Sequence, residues 1–298
     1  LAAYERAVQQ APTWREALQE LGQVCSRLGR REISIRYMEH ARRDLPDDIW
    51  LNYYLGILYK EMDNAAEAIA CFERVQAIEP GHVLSYNEMG LCEYQRQNQE
   101  AALAYFGHAV AHDPAFAPAY YNRGIVRMDI LAYADASTDF EKAVACRSDH
   151  ADARFGLVRS YERQSRLEEA EAALEAAKGE LGATSKLLGA EARLLLRRGK
   201  ADQARDALER IDWHELDDVN DVETSFLAGD IYARVKDVEA AMAAFTRANA
   251  AQRESRRALG YNKRNFLAEL ERAGRTYTPA FVRNWPSPTR DRVEQDPI

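Results

Sequence analysis

The sequence predicts an all-α solenoid of antiparallel helix hairpins, and three observations carry that expectation. Gly22, Gly56, Gly90 and Gly124 recur at a constant step of 34 residues. Small and large apolar residues recur in phase behind each of them. Pro46, Pro80 and Pro114 close the first three repeats, where a residue that cannot continue a helix is needed. A fixed period of this length marks hairpins that bury their apolar faces only against one another.

The register can be followed along the chain. Twelve residues after each glycine stand Ser34, Ala68, Ala102 and Ala136. Sixteen residues after come Met38, Phe72, Phe106 and Phe140, and nineteen after come Ala41, Val75, Ala109 and Ala143. The small residues suit a close crossing of two helices, and the large ones fill the gap between neighbouring hairpins. A step of 34 beyond Gly124 lands on Val158, with Tyr161, Ala170, Leu174 and Ala177 in place. A further step reaches Ala192, followed by Gly199, Ala204 and Leu208 in a poorer repeat. Ala228-Gly229, Tyr232, Ala241, Phe245 and Ala248 restore the pattern after a three-residue slip in the acidic connector Asp212–Asp218. At the other end, Tyr4, Ala7 and Pro12 hold second-helix positions, so the chain is expected to open inside a repeat.

These residues resemble the tetratricopeptide repeat family over nearly the whole chain. The resemblance implies a right-handed superhelix with first helices lining a concave groove for a protein or peptide ligand. The expected organisation is a solenoid over 1–253, with a partial repeat at 1–14 and repeats at 15–48, 49–82, 83–116, 117–150, 151–184, 185–218 and 222–253. A capping helix follows at 254–273, then an extended tail or interdomain linker at 274–298. In the cap, Leu259, Phe266, Leu267 and Leu270 form an apolar face, largely opposite Arg256, Arg257, Lys263 and Arg264. After Gly274 the prolines 279, 286 and 288 end the periodicity.

By the same resemblance, positions 2, 5, 9 and 12 of each repeat face the groove. They are Trp50, Tyr53, Ile57 and Lys60, then Leu84, Asn87, Leu91 and Tyr94, then Pro118, Tyr121, Ile125 and Met128. Polar Asp152, Arg159, Glu162, Lys186 and Arg193 continue the line. The candidate peptide-binding groove is therefore Trp50, Tyr53, Ile57, Leu84, Asn87, Leu91, Tyr94, Tyr121, Ile125, Met128 and Arg159. Apolar and aromatic groups on an open face mark a recognition surface, unless they pack on each other or lie under the chain's own tail. The pattern of Lys, Asn and Arg that clamps an acidic chaperone tail finds no register here, so that ligand is not expected.

Composition narrows the function classes. The 298 residues carry 48 acidic against 40 basic side chains, a net charge of −8, which argues against nucleic acid as a general partner. Hydrophobic residues make up 47%, and no apolar run is long enough to span a bilayer. Cys25, Cys71, Cys92 and Cys146 lack any pattern and read as reduced thiols of a cytoplasmic protein. His108 and His112 have metal-ligand spacing on a second helix but no third ligand, and are expected as solvated side chains. His82 and His150 read as ordinary polar residues of the inter-repeat turns. With no phosphate-cradling loop and no convergent polar set, the chain is expected to be neither catalytic nor cofactor-bearing.

The tail carries a second resemblance. Tyr261-Asn262-Lys263-Arg264-Asn265-Phe266, then Phe281, Trp285 and Glu294-Gln295-Asp296-Pro297-Ile298, are similar to the join in bacterial fusions of tetratricopeptide repeats to a sulfotransferase domain. That resemblance implies a downstream catalytic domain using a phosphosulfate donor, for which this chain is the recruiting or regulatory region. A freestanding adaptor and a self-associating scaffold are the alternatives. From residue 253 onward ten basic and six acidic residues give +4, leaving −12 for the rest. This basic end suits either an anionic partner or the solvated face of a cap.

Overall fold

In the computed structural model the described residues are 1–258, with side chains to Arg253. Among them are fifteen α-helices, one short 3-10 turn and no strand. The chain divides into two compact bodies, Leu1–Asp212 and the part from Trp213 onward.

The first body opens with α1 (Ala2–Gln10) and continues as six hairpins. These are α2 (Arg15–Arg27) with α3 (Arg31–Asp44), α4 (Ile49–Glu61) with α5 (Ala65–Ile78), and α6 (Val83–Gln95) with α7 (Gln99–His112). The other three are α8 (Ala117–Asp129) with α9 (Tyr133–Cys146), α10 (Ala151–Arg163) with α11 (Leu167–Leu181), and α12 (Ser185–Arg197) with α13 (Ala201–Glu209). The lone α1 precedes the first of these hairpins and packs on α2. The poorer sixth repeat shows itself in α13, which has 9 residues where α3, α5, α7 and α9 have 14.

Glycine is required where the hairpin helices cross. A Cβ on Gly56, Gly90 or Gly124 would lie 2.5, 2.6 or 2.8 Å from the ring of Phe72, Phe106 or Phe140. Those three rings are fully buried, each flush against its own hairpin's glycine. Phe140 also closes on Gly156 of the next repeat, at 2.8 Å from a Cβ there, so one ring locks both a hairpin and a junction.

The turn within each hairpin repeats more regularly than its sequence. Gly29, Asp63, Gln97, Leu131, Ser165 and Gly199 all have φ between 58° and 76° and are spaced by 34 residues, with Lys236 at 64° after the slip. After each, a backbone N–H reaches back to the carbonyl five residues earlier, as in Asn64 to Tyr59 at 2.9 Å and Lys200 to Leu195 at 2.9 Å. This left-handed closure satisfies carbonyls that a helix end would leave open.

The second body holds a 3-10 turn at Trp213–Glu215, then the hairpin of α14 (Asp218–Arg234) and α15 (Val238–Ala258). Here the expected boundaries change. Helix α14 begins at Asp218 rather than 222, because Asp217 accepts the Asn220 N–H at 2.9 Å and caps an added turn. The slip is thus absorbed as helix. At the other end α15 runs without a break across 253–254, so no turn separates hairpin from cap there. The remainder of the expected cap, 259–273, and the tail at 274–298 lie outside the described residues.

Candidate functional site

Within the first body, successive first helices touch directly, α4 with α6, α6 with α8, α8 with α10 and α10 with α12. Successive second helices do not pair to that extent, so the first helices form the inner layer of the stack. Polar rungs tie this layer together. Lys60 pairs with Glu88. Asn122 Nδ2 donates to Asn87 Oδ1 at 2.9 Å, and the Tyr94 hydroxyl donates to Asp129. Lys186 pairs with Asp152 at 3.5 Å, and Glu162 receives Arg193 and Arg197 at 3.7 Å each.

Between the rungs lie the apolar candidates. Tyr53 and Ile57 rest on the cluster of Phe72 and Met89, Leu91 and Tyr94 on that of Phe106, and Tyr121, Ile125 and Met128 on that of Phe140. Trp50 stacks on Tyr54 with centroids 5.2 Å apart. All of these are half-buried, each standing on a hairpin core and showing its other side to solvent. Leu84 is the most open of the set, 44% exposed. Asn87 differs, being 6% exposed with its oxygen taken by Asn122 and its amide donating to Glu88 at 3.4 Å. Arg159 is half-buried, its guanidinium 5.7 Å from the Phe155 ring. Burial, followed by the Glu88 charge, pushes the Tyr53 hydroxyl up to about 12; burial also raises Tyr121. Both therefore present neutral rings at physiological pH.

Two residues read as ordinary loop side chains have a structural role at this face. His82 and His150 cap α6 and α10, their Nδ1 atoms accepting the N–H of Ser85 at 3.2 Å and of Ala153 at 3.4 Å. Their rings stand against Tyr53 at 5.6 Å and Tyr121 at 4.8 Å. The pairs 53/121 and 82/150 are both two repeats apart, a spacing the sequence displays. His108 and His112 are exposed as expected, yet both stack on Tyr86, with centroids at 5.2 and 5.5 Å. Cys25 and Cys92 are buried in the core, and all four cysteines are free thiols. Among the described residues no three His, Cys, Asp or Glu side chains gather as a metal-binding group. No described helix is long and apolar enough to cross a membrane.

A sequence profile described as Tetratricopeptide repeat matches residues 53–118 and 121–185, which contain most of this layer. The chain carries tetratricopeptide repeats. FlbA of Caulobacter vibrioides is 25% identical over 144 residues, 48% of this chain and 24% of that protein. The probable UDP-N-acetylglucosamine–peptide N-acetylglucosaminyltransferase SPINDLY of Hordeum vulgare is 25% identical over 97 residues, 30% of this chain and 10% of that one. The chain thus spans a quarter or less of the length of these curated relatives. A tetratricopeptide repeat protein structure from Parabacteroides merdae superposes with a TM-score of 0.62 over 86% of this chain and 97% of that chain, at 20% identity. It agrees with the fold. These repeats form a scaffold for protein interaction.

Proposed function

We propose that the inner layer of α4, α6 and α8 receives an extended or helical segment of a partner protein by its apolar side chains. The observation that supports this is the continuous half-exposed strip from Trp50 through Leu84 to Met128, held in place by cores beneath and polar rungs alongside. Aromatic anchors on a rigid surface lose little entropy on binding and dominate interface energetics. Tyr53 and Tyr121 are poor first choices for mutation, because their rings also pack on Phe72 and Phe140 at 5.6 and 6.1 Å. Leu84 is better. Peptides selected by display on the full chain should lose about tenfold in affinity by fluorescence polarisation with Leu84→Lys. The same change at Leu131, 69% exposed on a hairpin turn, should leave them unaffected.

A second reading rests on the residues from Tyr261 to Ile298, with their similarity to a repeat–sulfotransferase join. On it, the repeats recruit substrate to a catalytic domain in the parent protein. SPINDLY, which by its name is a peptide-modifying transferase, offers a parallel. A phosphosulfate-binding loop downstream of Ile298, together with sulfate transfer by the parent protein, would bear this out. A stop codon there would leave the freestanding adaptor. Dimers in light scattering would favour the self-associating scaffold.

A further inference from the structure

At the α2–α4 end of the inner layer a cleft of about 470 Å³ is lined by Arg15, Asp47, Asp48, Trp50, Tyr53 and His82. One face of Trp50 is stacked on Tyr54, and a guanidinium lies over the Trp50 ring at 5.4 Å, that of Arg15. The same guanidinium meets Asp48 Oδ2 at 2.8 Å. Trp is the best cation–π surface among the side chains, and a planar guanidinium both stacks on a ring and forks to a carboxylate. The cleft is therefore already arranged around one guanidinium.

That occupant is held loosely. The Arg15 side chain is 54% exposed, and an ion pair so open to water contributes little. Asp47 stands beside it with its carboxylate exposed to solvent. Nearby, Glu61 pairs with Arg31 and Glu88 with Lys60, while Asp129 accepts the Tyr94 hydroxyl. This end is aromatic and acidic at once.

We propose that the Trp50 cleft is a receptor for an arginine side chain of the partner segment, with Arg15 of the chain itself as the resident that the partner displaces. The inference deepens the groove reading and rests on it. It assigns the partner a guanidinium next to its apolar anchors. Arg15 then acts as a built-in competitor that sets the threshold for capture.

The test is an NMR titration of the full chain, following the indole N–H of Trp50 (assigned with Trp50→Phe). The probes are N-acetyl-arginine amide and its uncharged counterpart, N-acetyl-norleucine amide. The arginine probe should shift and saturate the Trp50 resonance about tenfold more tightly in Arg15→Ala than in the wild type. Asp48→Asn, which retains the α4 cap, should abolish that gain. An equal response to norleucine would overturn the proposal while leaving an apolar groove in place. Silence of Trp50 to both probes in Arg15→Ala would overturn it too. Neither result bears on Leu84, whose variant tests the groove separately.

Discussion

Two glycines separate the uses to which this residue is put. Gly90 faces the Phe106 ring with no room for a methyl group, whereas a Cβ on Gly179, inside α11, meets nothing within 4 Å. We expect Gly90→Ala to destabilise the chain by about 2 kcal/mol through overpacking. Gly179→Ala should stabilise it by about 0.5–1 kcal/mol, because a helix interior favours alanine. Urea midpoints at constant slope would measure both. His150 gives the pH expectation. Burial is the main cause that lowers its pKa from the ordinary 6.5, followed by the Arg147 charge, with Asp152 and Asp149 opposing. Its Nδ1 must stay unprotonated to accept the Ala153 N–H. With the folded value depressed, the unfolded chain binds the proton more readily. Stability is therefore full above 6.5 and falls as pH drops through that value. His150→Asn retains a capping group that does not titrate, and should flatten the loss between pH 7.5 and 5.5 measured by the same method.

At the scale of the element, what the sequence displays depends on how many residue types a position tolerates. The crossing glycines and the three phenylalanines were legible because each position accepts only a small or only a large group. The left-handed turn residue was not. Asp63, Gln97, Leu131 and Ser165 share a backbone conformation without sharing any side-chain property, because the closing hydrogen bonds hold the turn whichever residue occupies it. Helix α14 shows the same limit. Asp217 and the acidic first turn read as a connector, yet an aspartate accepting an N–H is a helix start. We expect Asp217→Ala to cost about 1 kcal/mol. Hydrogen exchange should show protection lost first at the Asn220 amide.

Across the first body, the 34-residue period puts equivalent positions on one face of the stack, and the family resemblance assigned four of them in each repeat to the candidate groove. What it could not place were contacts that join different repeats at unlike positions. Arg15 reaches Asp48 at the far end of its own repeat and Trp50 in the next one, and Asn122 takes the oxygen of Asn87. The first fills part of the face with the chain's own cation. The second removes a polar group that the resemblance offered to a ligand. The strip that remains is aromatic, half-buried and cross-braced, which suits the proposed recognition by shape with little reordering.

The most direct measurement of that claim is photo-crosslinking. A display-selected peptide carrying benzoyl-phenylalanine at its apolar anchor would be irradiated with the full chain and the adducts located by mass spectrometry. We expect adducts on α4, α6 and α8, at Trp50, Leu84, Leu91 or Tyr121. Adducts concentrated on α5, α7 and α9 would contradict the account and move recognition to the outer helices.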